Sequence, residues 1–334
     1  MTATEPAPRT SRRGFLKIVA LSSLAAGLGV VATRHRLAGA RLPVSRTTRL
    51  LMGTVVHLSV AGPDAAGAEA AVAATVAEME RLIALLDHRR PASALGRLNA
   101  TGAVDAAPPE LIAVIAQALE VGALTSGAFD ITVKPVLDAY RAGQRDVAAL
   151  RPLVDYRQVA IDGQRLRLRR PGMALTLDGL GKGRVVDGAV GVLRDRGYAN
   201  VLVEAGGDLL ALGQPQAGQP WQVGVQSPRG AETLATVSVT QAALATSGDY
   251  QNSFSADFSL NHIIDPRTLQ SPESVAAVTT IAPTAMLADA LSTSLMVLGL
   301  PDGLALAEQL PGVEALLIGK DLQLHPTTGF PGRA

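Results

Sequence analysis

Three short stretches hold residues whose types and spacing can do chemistry. In "MLADALSTSLMVLG" (286–299), one carboxylate, Asp289, sits among apolar and tiny residues, and Ser292 and Thr293 follow three and four positions on. On a helix these three share a face. A solvent-facing polar stripe is one reading, but such a stripe would carry Lys, Glu or Arg, and this stretch has none. The other reading is a hard-cation face. Mg²⁺ takes one or two carboxylates together with substrate phosphates. In "MALTLDGLGKGRVVDG" (173–188), Gly179, Gly181 and Gly183 flank Leu180 and Lys182. Glycines between a strand and a helix let backbone N–H groups approach a phosphate, and the helix N-terminus favours negative charge. An ordinary glycine turn remains the alternative. The spacing matches neither the G-x-G-x-x-G fingerprint nor the Walker loop. In "NHIIDPRTLQSP" (261–272), His262 can act as an acid or base, because its charge changes near neutral pH. Asp265 before Pro266 reads equally as a turn residue, with Arg267 as its ion-pair partner.

Other chemistries are poorly supported. "ATSGDY" (245–250) lacks the G-x-S-x-G elbow of a serine hydrolase. The five His (35, 57, 88, 262 and 325) show no zinc-ligand spacing. "VEAGGDLLALG" (203–213) reads as a structural Gly-Gly-Asp turn.

The elements that must position these residues read as follows. Residues 47–62 form a strand and 64–90 a long Ala-rich amphipathic helix. A loop covers 91–108, and a helix opened by Pro covers 109–127. Residues 128–140 make a turn and a short helix. Strands follow near 157–161, 165–169 and 173–177, then the glycine turn and helix of 178–197 and a strand at 200–205. Short alternating strands and turns follow at 206–213, 221–228 and 234–248. The Asp289 helix spans about 284–299, and 313–327 reads as a hairpin edge. The pattern predicts one α+β domain over 41–334, with mixed or antiparallel sheets flanked by helices, as one body or as two intimately joined halves.

Composition narrows the classes. The chain has 334 residues, 48% hydrophobic and 18% charged, ample for a large core and unlike a disordered chain. It has no Cys, which removes disulfides, thiolate metal sites, Cys nucleophiles and a lipid-bearing Cys. "SRRGFLK" (11–17) before the apolar run of 18–32 reads as a twin-arginine export signal in residues 1–40, with "AGA" (38–40) as a cleavage site. A retained N-terminal membrane anchor is the alternative, although 15 apolar residues are short for a span. The protein is therefore expected in the periplasm. Residues 1–40 hold six basic residues and one acid, a surplus of five, so a chain of net +1 leaves −4 on the remainder. That sign, with 3% aromatics, argues against nucleic acid as a partner.

Taken in order, "MGTVVHLSV" (52–60), "GAFDITVKP" (127–135), "LDGLGKGRVVD" (177–187), "VLVEAGGDLLALG" (201–213), "ATSGDYQNSF" (245–254), "HIIDPRT" (262–268) and "VTTIAPTAMLADALSTSLMVLG" (278–299) resemble the ApbE family of FAD:protein FMN transferases. The resemblance runs from about residue 47 to 320. It implies an α+β fold and a Mg²⁺-dependent transfer of FMN from FAD to a Thr or Ser hydroxyl of an acceptor protein, releasing AMP. It implies Asp289 and Thr293 as metal ligands, joined by the Gly181 carbonyl. Met52, Ala128, Phe129 and Asp130 would line the flavin and adenine sites, with Asp178, Lys182 and Ile263 near FAD. His262 would activate or position the acceptor hydroxyl, and Asp289 would serve catalysis through the metal. The signal resembles that of the branch serving nitrous-oxide and nitrite reduction, which implies a periplasmic acceptor such as a respiratory membrane flavoprotein. An FAD pyrophosphatase and a non-catalytic FAD-binding or chaperone protein are the competing readings. The sequence departs from the family pattern at Asp178, where Gly is common, at Asn261 in place of a first His, and at Leu269 in place of a turn Gly.

Overall fold

The computed structural model describes residues 43–333 except Pro63 and Ala217, so the expected export signal lies outside the described residues. Along the chain, hairpin β1 (Val44–Leu51) and β2 (Thr54–Ala61) leads into helix α1 (Ala65–Leu86). Then come α2 (Ala94–Thr101), β3 (Ala103–Val104), α3 (Pro109–Leu124), α4 (Lys134–Arg141), β4 (Val159–Asp162) and β5 (Arg165–Leu168). Helix α5 (Gly181–Asp195) precedes β6 (Asn200–Ala205), β7 (Asp208–Leu212), β8 (Trp221–Gln226), β9 (Thr233–Val239) and β10 (Gln241–Gly248). The chain closes with β11 (Val275–Ala282), α6 (Ala285–Leu298), α7 (Asp302–Gln309), β12 (Glu314–Gly319), β13 (Leu324–Pro326) and β14 (Gly332–Arg333).

An eight-stranded sheet, ordered β1-β2-β6-β7-β10-β11-β12-β13, is antiparallel throughout. Both faces of its centre are covered, which is why its strands are apolar at successive positions. On β6, Val201, Val203 and Ala205 meet α1, α5 and α6, whereas Leu202 meets the small sheet β14-β9-β8 on the other side. A further core lies under α2, α3 and the sheet β3-β5-β4, built on Leu95, Leu98, Leu111, Ile115 and Leu166. Helix α6 belongs to both bodies. Ala285, Ala288 and Leu291 pack toward the large sheet, and Met286 and Ala290 pack into the α2–α3 core. The two halves are thus joined through α6, with the end of α1 adding Leu86 to the second core, and this shared packing explains the apolar character of α6 all round.

Three expected elements differ. Residues 47–62 are not one strand but parts of two, because Met52 (φ 53°) and Gly53 (φ 72°) make a left-handed turn that reverses the chain. The loop of 91–108 contains α2, which Ser93 caps by accepting from the Gly96 N–H at 2.7 Å and Gly102 ends in the left-handed region. Residues 173–177 form no strand. Their backbone is instead held by the Asn99 side chain, which accepts from Leu175 N–H at 2.7 Å and donates to its carbonyl at 2.8 Å. The expected hairpin at the C-terminal end of the sheet is present as β12 and β13.

Candidate active site

The site forms where the start of α5 meets the middle of α6. Two close approaches fix this crossing. Gly183 lies so near the first residues of α6 that a Cβ there would fall 2.2 Å from the Ala285 carbonyl oxygen. From the next turn of α5, Asp187 accepts from the Ala285 and Met286 N–H groups at 2.8 and 3.0 Å, capping α6. Thr284 adds the usual cap, accepting from Leu287 N–H.

This crossing settles the nature of the Asp289 face. Asp289 is 3% exposed, so it is no solvent stripe. One carboxylate oxygen accepts from the Gly183 N–H at 3.1 Å, and the other lies 3.5 Å from Lys182 Nζ. One turn on, Thr293 Oγ1 lies 3.2 Å from Ser247 Oγ, which also meets Ser292 Oγ at 2.8 Å. Ser292 itself is fully buried and donates to the Asp289 carbonyl, so its hydroxyl is already engaged within the helix.

Asp289 and Thr293 line a narrow inner cleft of about 80 Å³ with Lys182, His262, Ile263 and the Ala128-Phe129-Asp130 stretch. Segments far apart in sequence thus converge on one cleft. Asp130 has little free capacity, since its carboxylate accepts from the Thr132 and Tyr156 N–H groups at 2.7 and 2.8 Å. Met52 and Gly181 are not among the residues lining this cleft. Met52 is spent in the β1–β2 turn and packs against the large core.

Asp178 also lines the inner cleft, and its charge is neutralised. Arg89 grips it with two donors at 3.0 and 2.6 Å, and His88 Nε2 lies at 3.4 Å. Burial pushes its carboxyl up, but His88 and Arg89 outweigh this and hold it far below the ordinary carboxylate range. An acid at this position therefore presents no free negative charge to a bound phosphate. His88, Arg89 and Arg141 line a second, wider cleft of about 600 Å³.

His262 is pushed down to about 4, first by burial and then by the Lys182 charge, against opposing pulls from Asp178 and the Gln251 backbone. At neutral pH its ring is uncharged, and its buried Nδ1 has no hydrogen-bond partner. It can therefore accept a proton. Asp265 and Arg267 take the turn reading: Asp265 accepts from the Arg267 N–H at 2.8 Å and pairs with its guanidinium at 2.9 Å.

The sequence reading missed Asp208. It begins β7 directly after Gly206 and Gly207, both in the left-handed region. Its side chain is 1% exposed and its Oδ2 lies 2.7 Å from Lys182 Nζ, without hydrogen-bond alignment. Burial and the neighbouring Asp289 push its carboxyl well up. The Gly-Gly-Asp signal was visible in sequence, but its partner Lys182 sits on another element.

The oxygen-only donor set of Asp289 and Thr293 fits a hard cation. Among the described residues, the buried Asp289 carboxylate accepts one backbone hydrogen bond, and its one ion-pair partner, Lys182, stands 3.5 Å away. Among the described residues, no group of three or more His, Cys, Asp or Glu could hold a metal by itself.

Comparison with known proteins agrees with this geometry. The chain is 33% identical to the FAD:protein FMN transferase of Klebsiella pneumoniae over 77% of this chain and 80% of that one. It is 34% identical to the FAD:protein FMN transferase of Salmonella typhimurium over 74% and 77% of the two chains. Among solved structures, the ApbE protein of Thermotoga maritima superposes with a TM-score of 0.78 at 26% identity, covering 86% of this chain and 97% of that one. The flavin transferase ApbE of Vibrio cholerae superposes at 0.77 with 27% identity, covering 86% and 98%. Residues 52–317, which hold every element of the cleft, match the family as a whole, and the chain belongs to the ApbE family.

Proposed function

We propose that the protein is an FAD:protein FMN transferase that moves FMN from FAD to a Thr or Ser hydroxyl of an acceptor protein and releases AMP. The observation that carries this reading is the inner cleft. It gathers Lys182, Asp289 and Thr293, suited to a cation and phosphates, beside a neutral His262.

Each residue has a physical task. Phosphoryl transfer is achieved mainly by positioning and by charge stabilisation. Asp289 and Thr293 would hold Mg²⁺, which supplies neutralising charge to the phosphates when bound. The Gly181 carbonyl, at the first residue of α5, is the third ligand that the family resemblance suggests. Lys182 contributes a fixed positive charge beside the phosphates. His262 Nδ1 accepts the proton of the acceptor hydroxyl, which is a weak nucleophile while protonated. The buried surroundings of Ala128, Phe129 and Ile263 exclude water, which favours a protein hydroxyl over hydrolysis.

We also propose export to the periplasm by the twin-arginine route, with a periplasmic respiratory or nitrous-oxide-reduction flavoprotein as acceptor. The Arg12-Arg13 motif and the apolar run that follows support this. Recovery of the full chain only in the cytoplasm after cell fractionation would overturn export.

The central test uses the purified protein with FAD, Mg²⁺ and candidate acceptor domains, with mass spectrometry of the acceptor. The expected result is covalently bound FMN on a Thr or Ser, with equimolar AMP, abolished by EDTA. AMP release with unlabelled acceptors throughout would instead show water as the acceptor. FAD bound equally in EDTA, with no AMP formed, would show a binding protein.

A further inference from the structure

We infer that Asp208 is a positioning residue that draws the Lys182 ammonium off Asp289 and so keeps Asp289 free for a divalent cation. The inference rests on the cation reading above, but not on the identity of the acceptor. Lys182 Nζ stands 2.7 Å from Asp208 Oδ2 and 3.5 Å from Asp289 Oδ1. The shorter contact goes to Asp208, which is not among the residues lining the inner cleft, and the longer to Asp289, which is. Two buried carboxyl groups face one ammonium, and a cation placed on Asp289 supplies a second positive charge.

The fold holds Asp208 in this role from behind. Gly206 and Gly207 take φ values of 62° and 101°, which a side chain would resist, and they turn β6 into β7 with Asp208 as the first residue of the new strand. Glu204, 3% exposed, accepts from the Gly207 N–H at 2.9 Å and fastens that turn. Neither Lys182 nor Asp289 can supply this arrangement locally. Lys182 lies in the first turn of α5 beside Gly183, whose N–H already binds Asp289. Without a competing carboxylate, the ammonium is one short side-chain movement from closing on Asp289 itself.

The test measures divalent-cation binding directly, by Mn²⁺ titration in the absence of FAD and acceptor, together with the Mg²⁺-dependent rise in melting temperature. Asp208→Asn keeps the shape and removes the charge. The expected result is a weakening of Mn²⁺ binding by at least tenfold, with a correspondingly smaller thermal shift. Removing the competing ammonium as well, in Asp208→Asn with Lys182→Met, is expected to restore binding to near the wild-type value. A residue that merely holds the fold together would not be rescued in this way. Should Asp208→Asn fail to fold, Lys182→Met alone serves: it removes the competing ammonium from Asp289 and is expected to enlarge the Mg²⁺-dependent thermal shift. Wild-type binding by Asp208→Asn, or no recovery in the double variant, overturns the inference alone. Absence of Mn²⁺ binding by the wild-type protein overturns both the inference and the cation reading.

Discussion

His262 and Glu204 are buried ionisable groups whose shifts run in opposite directions, and each makes a prediction. Burial holds His262 at about 4, below its ordinary 6.5, so between these values only the unfolded chain binds the proton. Its contribution to stability is therefore full above pH 6.5 and is lost as pH falls toward 4, amounting to up to about 3 kcal/mol. Burial raises Glu204 to about 7 from 4.5, so its contribution is full below pH 4.5 and is lost as pH rises through 7. The two slopes partly cancel in the wild-type protein and separate in variants. Urea denaturation at pH 5 and pH 8 is expected to show Glu204→Gln more stable than wild type at pH 8, with the gap closing at pH 5. No difference at pH 8 would mean that the carboxylate is solvated. His262→Asn is expected to flatten the acid-side slope and to slow FMN transfer roughly a hundredfold or more, as loss of a general base does. Normal transfer in that variant would remove His262 from the chemistry. Asp289 and Thr293 were legible in sequence because a helix turns i and i+4 to one face. The partners that neutralise charge were not: Arg89 reaches Asp178 and Lys182 reaches Asp208 between separate elements, and no local spacing encodes such a meeting.

Helices α5 and α6 carry the site, and two glycines of α5 differ in what surrounds them. At Gly183 a Cβ would collide with the backbone of Ala285 and Met286, at 2.2 to 2.6 Å, and backbone cannot swing aside. At Gly191, on the same helix, an added Cβ meets nothing within 4 Å. Gly183→Ala is expected to cost about 2 kcal/mol by overpacking. Gly191→Ala is expected to stabilise by about 0.5–1 kcal/mol, because alanine loses less backbone freedom in a helix. Thermal melts of the two variants check this: shifts of the same sign would refute the close-packing account. Gly183→Ala should also weaken Mn²⁺ binding, since its N–H orients Asp289. The same logic illuminates Leu269. It is buried with φ 64°, a conformation that costs a branched side chain of this kind on the order of 1 kcal/mol. Its packing against Tyr140, whose hydroxyl donates to its carbonyl at 2.7 Å, offsets that strain. Helix boundaries were readable from caps and periodicity. The β1–β2 reversal was not, because Met52 gives no turn signal, and α2 was overlooked although Ser93 and Gly102 mark both its ends.

Across the whole molecule, α6 decides whether the two halves behave as one. It contributes side chains to the core under the large sheet, to the α2–α3 core, and to a third cluster with α7 and β12 through Leu295 and Met296. A helix shared in this way cannot leave one core without opening the others, so unfolding is expected to be a single cooperative step. The chain carries its own reporter. Its one tryptophan, Trp221, is 6% exposed between the large sheet and the β8–β9 layer, remote from the α2–α3 core, and donates to the Leu212 carbonyl at 3.0 Å. Far-ultraviolet circular dichroism reports all the helices, whereas Trp221 fluorescence reports only that layer. Denaturant curves from the two probes are expected to coincide in midpoint and slope. Separate midpoints would mean that the half containing α2 and α3 unfolds independently and that α6 is not the common element. Coincidence has a functional consequence, because the inner cleft draws Phe129 and Asp178 from one half and Lys182, Asp289 and Thr293 from the other. A cation or FAD bound there then stabilises the entire protein by mass action, and both probes should shift together on its addition.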